Sequence, residues 1–201
     1  MSDFPISLHG ERITAVIVGG GAVATRKARA LIDAGARVTL VAPEVSAELA
    51  DAERLRQVTI VREEYDRDRL KGATLVIAAT DSRDVNARIA VHAQANGQLV
   101  NITDYPDEGN FHTMALHRVG DVTVAVSAGG VPGAAARIRD AIADRFDARY
   151  EQAVSVLRGL RARSLASGDD RWQDAASKLL DRDFCDSVEN GTFADKVSSW
   201  R

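Results

Sequence analysis

One cysteine, Cys185, occurs in 201 residues, so the chain can close no intramolecular disulfide and build no cysteine-based metal cluster. The four histidines, His9, His92, His112 and His117, are too scattered for a zinc finger. This cysteine usage fits a reducing, cytoplasmic compartment. Long apolar runs are missing too: stretches such as Leu75 to Ala79 fall far below the ~20 residues that span a bilayer, so no membrane insertion is expected. Met1 to Gly10 has neither a basic leader nor a continuous apolar stretch, which argues against a secretory signal. No excess of positive charge exists either; the formal net charge is −3, and the broad basic field that generic nucleic-acid binding requires is absent. No segment repeats at a fixed period and no tract is low in complexity. What remains, 45% hydrophobic and 27% charged residues, is the composition of an ordinary globular chain, not of a disordered, collagen-like or coiled-coil one.

The near-neutral sum hides a local asymmetry. Residues 137–163 carry seven arginines against four acids, whereas residues 164–201 carry five basic and eight acidic side chains. Two solvated helix faces would produce that pattern, and so would an anion-facing helix followed by an acidic cap.

Up to about residue 104 the chain alternates short β-branched runs with longer helical patterns, which calls for a parallel sheet with helical crossovers. Strands are predicted at 13–18, 37–41, 59–62, 75–79 and 99–102. Helices are predicted at 23–34, closed by Gly35, and from about Ser82 or Asp81 as N-cap to Asn96, closed by Gly97. The rhythm then changes. Residues 111–117 and 122–127 read as strands of a hairpin turning at Arg118-Val-Gly-Asp121. A helical pattern runs from Ala134 to Asp147, and beyond Arg149 everything reads helical, with Val154, Leu157 and Leu160 on one face and a break at Ser167-Gly168. The fold expected is α/β: a Rossmann-like doubly wound parallel sheet over 1–112, a small α+β segment over 113–149, and a helical domain over 150–201.

The strongest local signal is Val18-Gly-Gly-Gly-Ala-Val-Ala24 between the first strand and the first helix. Gly19, Gly21 and Ala24 occupy the three special positions of G-x-G-x-x-G/A: the tight turn, the close backbone approach to a pyrophosphate, and close helix–sheet packing. The acid that this fingerprint places about 20 residues on is displaced: the second strand ends in Val41-Ala42-Pro43, and the first carboxylate is Glu44. No arginine follows that strand to take up a 2′-phosphate, which favours NAD over NADP. Thr80 and Asp81 leave the fourth strand at the same edge of the sheet, either toward the ligand or as helix caps. Asp104 follows the fifth strand and is the best candidate for proton chemistry, as general base or hard-metal ligand, against a plain turn aspartate. His112 and His117, five apart in an expected strand, would point to opposite faces, so no shared metal site is expected there. Ser127-Ala-Gly-Gly130 offers a hydroxyl and flexible amides suited to a carboxylate, or a simple strand-to-helix turn.

Gly19-Gly-Gly-Ala-Val-Ala-Thr-Arg-Lys27, Ala34-Gly-Ala-Arg-Val-Thr-Leu-Val-Ala-Pro43, Val76-Ile-Ala-Ala-Thr-Asp81, Asn86-Ala-Arg88, Val100-Asn-Ile-Thr-Asp104 and Val124-Ala-Val-Ser-Ala-Gly-Gly130 follow one another as in siroheme synthases. The chain resembles that family of precorrin-2 dehydrogenases, some of which are also sirohydrochlorin ferrochelatases, over roughly residues 4–146. The resemblance implies a homodimer built through the central segment and NAD-dependent oxidation of the tetrapyrrole precorrin-2 to sirohydrochlorin, with Fe2+ as a further, chelatase substrate. Position by position it implies that Ala22, Val23, Pro43 and Glu44 contact the dinucleotide and that Asp104 is catalytic. It also places Ser127, Gly129 and Gly130 near the substrate's carboxylates; for a substrate so charged, Arg118 and Arg137 are expected as cationic partners by charge pairing. Three departures fall in the central segment: His112-Thr-Met-Ala115 replaces a hydrophobic-proline stretch, Ala128 replaces a serine, and Pro132-Gly133 replaces Ser-Pro. At this length, the fused form with a methyltransferase region is not expected. A different class, a non-catalytic NAD/NADH-sensing dimeric module, fits the glycine loop equally well but gives Asp104 nothing to do.

Overall fold

The structure, a computed structural model, describes residues 3–168 and 171–200. Its contacts divide the chain into two compact units, Met1–His112 and Thr113–Arg201.

In the first unit, strands Thr14–Val18 (β1), Arg37–Val41 (β2), Val58–Val61 (β3), Leu75–Ala78 (β4) and Leu99–Ile102 (β5) form one parallel sheet in the order β3-β2-β1-β4-β5. Between them run the helices Ala22–Asp33 (α1), Ala47–Arg54 (α2) and Arg83–Ala95 (α3). Ile17, Leu40, Ile77, Ala24, Ala28 and Leu49 pack on the face that carries α1 and α2. Val16, Val41, Val76, Val100, Ile102, Ile89 and Ala93 pack on the face that carries α3. Both faces are thus covered, which is why β1 and β4 are apolar at nearly every position rather than alternating. The expected doubly wound parallel sheet is therefore present. From β1 the chain winds outward to β3, then returns across β1 to β4. That reversal puts the topological switch at the carboxyl ends of β1 and β4.

The second unit opens with the antiparallel pair Ala115–Val119 (β6) and Val122–Val126 (β7), joined by Gly120-Asp121. Gly120 has φ +52, the conformation a two-residue primed turn requires at its first central position. The helices are Pro132–Ala143 (α4), Ala148–Ser167 (α5), Arg171–Leu179 (α6), Phe184–Glu189 (α7) and Phe193–Ser198 (α8). Tyr150, Leu157, Leu160, Leu179, Val188, Phe193 and Val197 form its core, with Val122 and Phe146 packed against them, so hairpin and helices share one interior. Gly168 closes α5 at φ +69, where the Ser167-Gly168 break was expected.

Some predicted elements shift. Residues 111–114 are not strand: Phe111 donates its amide to Val100 O and packs against the first unit's core, and the hairpin starts at Ala115. His112 therefore lies outside the strand and bonds Asp3 Oδ2 at 3.0 Å, while His117 Nε2 meets Phe146 O at 2.6 Å. The helix expected to run through Asp147 ends at Ala143, because the Asp147 carboxylate accepts the Arg149 amide at 2.9 Å and starts a new helix. No helix among the described residues is long and apolar enough to cross a membrane.

Candidate functional site

The turn after β1 separates three glycine roles. Gly19 has φ +125, and a Cβ there would lie 2.1 Å from Ala79 O, so contact with the exit of β4 demands glycine. At Gly20 a Cβ would lie 1.9 Å from Glu44 O, and Gly20 O accepts the Ser46 amide at 2.9 Å, which ties this turn to the loop after β2. Gly21 is the opposite case: a Cβ would meet nothing within 4 Å, and the residue is exposed at the N-cap of α1. No side chain caps α1 and its first turn holds no acid, so its positive end opens toward that space. Ala24 is fully buried and brings helix and sheet into close contact. An open approach at Gly21 beside an uncapped helix start fits the pyrophosphate of a dinucleotide. Exposed Ala22 and Val23 form the rim of this opening.

The neighbouring strand ends complete the edge. Ala42 is buried, whereas Pro43 and Glu44 are exposed directly beside the glycine turn. The Ser46 hydroxyl caps α2 and lies 2.9 Å from Thr25 Oγ1 on α1. After β4, Thr80 is locked by Asn86, which is fully buried. Thr80 Oγ1 donates to Asn86 Oδ1 at 2.7 Å, the Thr80 amide donates to the same oxygen at 3.2 Å, and Asn86 Nδ2 donates to Thr80 O at 3.0 Å. Ser82 rather than Asp81 caps α3, accepting the Val85 amide, which leaves Asp81 exposed at the edge. On α1, burial and the neighbouring Arg26 charge lower the Lys27 ammonium below its ordinary value.

Asp104 stands two residues beyond β5 and is exposed. The Thr103 amide extends the ladder to Ala78 O at 3.1 Å, and the chain beyond Asp104 folds back onto β5. There Asn110 accepts the Val100 amide at 2.7 Å and donates to Gln98 O at 2.9 Å, and Asn101 Nδ2 donates to Phe111 O at 3.1 Å. From α3, Arg83 pairs with Glu108 and lies 4.9 Å over the Tyr105 ring, while Gln94 donates to Glu108 O at 2.7 Å. The bond to Glu108, with the added negative charge of Glu108 and Asp104, holds the Arg83 guanidinium above its ordinary value. These tethers hold Asp104 at the same sheet edge as Gly21, Pro43 and Thr80. Sequence reasoning missed Arg83, Glu108 and Asn110, whose partners lie many residues away; of the locking residues, Asn86 and Asn101 sat within quoted motifs.

In the second unit, Ser127, Gly129 and Gly130 share the turn between β7 and α4; both glycines have positive φ, +55 and +81, and a Cβ on either would meet nothing. Arg118 lies on the exposed face of β6 opposite Thr123, and Arg137 on the exposed side of α4. The structure brings the turn residues together and leaves Arg118 and Arg137 on separate elements, β6 and α4. A different network lies at the edge of the helical core: Tyr150 Oη donates to Glu189 at 2.7 Å, Arg145 Nε donates to the same carboxylate at 2.5 Å, and Arg149 donates to Glu189 O at 2.7 Å. Burial, then the bond to Glu189, raises the Tyr150 phenol above its usual value, and the Tyr150 and Arg145 donors lower the Glu189 carboxyl. Among the described residues no three metal-ligating side chains converge.

A family model described as "Putative NAD(P)-binding" matches residues 6–115. A siroheme synthase of Chromobacterium violaceum is 36% identical over 98% of this chain and 41% of its own length. One from Methylococcus capsulatus is 40% identical over 81% of this chain and 35% of its own length. The chain thus spans about two fifths of the length of the curated relatives it matches. Among solved structures it is similar to SirC, a precorrin-2 dehydrogenase, at 26% identity and a TM-score of 0.77, covering 98% of this chain and all of that one.

Proposed function

Since the chain belongs to this NAD(P)-binding family, we propose that it is an NAD-dependent dehydrogenase that oxidises precorrin-2 to sirohydrochlorin in siroheme biosynthesis. One observation carries the reading. The open glycine turn at the start of α1 and the carboxylate of Asp104 stand at the same edge of one sheet, in a chain similar along its length to SirC.

Bound NAD+ supplies the hydride acceptor. Gly19, Gly21, Ala22 and Val23 hold the pyrophosphate through the turn and the first amides of α1, where both hydrogen bonding and the helix dipole favour an anion. Pro43 and Glu44 would contact the dinucleotide beside the glycine turn, and Thr80 with Asp81 would bound the site from β4. Oxidation removes a hydride and a proton from the macrocycle; Asp104 takes the proton and releases it to solvent. Ser127, Gly129 and Gly130 receive substrate carboxylates, with Arg118 and Arg137 as charge partners. Insertion of Fe2+ as substrate would displace two pyrrole protons from sirohydrochlorin, and Asp104 is the group to accept them. The chain works as a homodimer in the cytoplasm, and the exposure of Leu116, Val131 and Ile138 at 40%, 57% and 47% supports a second copy covering residues 113–149.

The test is spectral. With NAD+ and precorrin-2, NADH absorbance and sirohydrochlorin bands should rise together, and Asp104→Ala should lose at least about 100-fold in rate, the lower end of general-base contributions. Full turnover by Asp104→Ala removes the proton-acceptor role, and NAD+ binding with no turnover by the wild type removes the dehydrogenase.

A further inference from the structure

No arginine follows β2, yet one stands on the adjacent strand. Val41 pairs with Val61, and the Ala42 amide donates to Val61 O at 3.1 Å, so Arg62 leaves β3 directly beside the tip of β2. Strands lie about 4.8 Å apart, which places Arg62 within side-chain reach of the position where such folds hold the adenosine ribose. An arginine there is the group that would bind a 2′-phosphate. In this chain its guanidinium is already engaged: Nη1 donates to Glu53 Oε1 at 3.1 Å and Nη2 to Oε2 at 2.7 Å, a two-pronged pair with a carboxylate on the last turn of α2. The surroundings add negative charge, with Glu44 exposed after β2 and Glu63 and Glu64 exposed after Arg62.

We infer that Glu53 is a cofactor-specificity residue: by holding Arg62 in this pair it keeps the guanidinium from the 2′-phosphate of an NADP-type dinucleotide, and the site selects NAD. The inference rests on the dinucleotide reading above. Both partners carry their charges in this pair: the bond from Arg62 lowers the Glu53 carboxyl and the bond to Glu53 raises Arg62. A second arginine serves as an internal comparison. Arg29, on the third turn of α1, pairs with Glu48 on the first turn of α2, and that pair does not involve Arg62.

Calorimetric titration with NAD+, NADP+, AMP and adenosine 2′,5′-bisphosphate tests this without any tetrapyrrole. The wild type should bind NAD+ more tightly than NADP+. Glu53→Gln, which keeps the shape of the side chain, should tighten NADP+ and the bisphosphate about ten-fold or more, the scale of one charge-assisted hydrogen bond, and leave NAD+ and AMP unchanged. Adding Arg62→Ala should abolish the gain, and Glu48→Gln, with the same change in net charge, should produce none. Glu53→Ala, with its fold checked by circular dichroism, repeats the test should the glutamine variant be unstable. Unchanged NADP+ affinity in a folded Glu53 variant overturns the inference, as does an equal gain in Glu48→Gln. A wild type that binds neither dinucleotide overturns the inference together with the reading beneath it, and is recognised by the missing NAD+ heat.

Discussion

Substituting Gly21 by alanine separates binding from stability in a single methyl group. The residue has φ −81 and ψ −168, a conformation open to any L-residue, and its added Cβ would meet nothing within 4 Å. Restricting the unfolded chain should stabilise by about 0.4–1 kcal/mol. Alanine is a poorer N-cap than glycine, which should cost about 0.5–1 kcal/mol. The two effects nearly cancel, so the melting temperature should move by less than about 5 °C for a unit of this size. Binding should respond differently, because the methyl projects from the helix start into the space through which a pyrophosphate reaches the amides of α1. Loss of one charge-assisted bond there is worth about 1.5 kcal/mol, roughly ten-fold in the dissociation constant for NAD+. Differential scanning calorimetry of the free protein and isothermal titration with NAD+ read the two quantities independently. A folded Gly21→Ala protein that binds NAD+ as tightly as the wild type would refute the placement of the pyrophosphate at this turn.

Gly19→Ala should show the reverse pattern. Its φ of +125 and the 2.1 Å approach to Ala79 O make it unfold at lower temperature, by about 3 kcal/mol or more, whether or not NAD+ is present, as thermal melts will show. Asn86→Ala removes the partner of three bonds to Thr80 from a fully buried position, and should lower stability by about 2–3 kcal/mol in urea titration. Glu189 is a carboxyl lowered in the folded state, so its stabilisation is complete above the unfolded value of about 4.3 and is lost as pH falls through the folded value. Glu189→Gln should therefore flatten the acid limb of the stability profile measured by melting across pH 2–7. Tyr150 is raised, so its contribution is complete below about pH 10 and lost above it as pH rises through the folded value; Tyr150→Phe should weaken that alkaline loss.

Where a segment's fate depends on its own periodicity, the linear chain was enough. Arg37–Val41 and Leu99–Ile102 are strands at the predicted residues, and β1 and β4 differ from prediction by one residue at an end, because a strand buried on both faces must be a short continuous apolar run. The glycine turn was equally legible, since the tight exit from β1 at Gly19 and the close helix–sheet contact at Ala24 each require a residue type, while the N-cap at Gly21 is left open. Helix α2 escaped notice because only Leu49 on it is buried, too little for a pattern, although Ser46 as its cap was a usable signal.

Gly19, Ala24 and the strands of the parallel sheet were thus legible in the sequence alone, through conformational need and apolar runs that any local window contains. Tertiary structure decided the rest. Phe111 folded back onto β5 because Val100 O was there to accept its amide. Arg62, invisible as a candidate in a reading that looked for a cation after β2, came beside the β2 tip through sheet register and was then claimed by Glu53. The physical reason is the same in each case: hydrogen-bonding groups must find partners wherever the fold brings them, and those partners lie outside the window in which periodicity can be read.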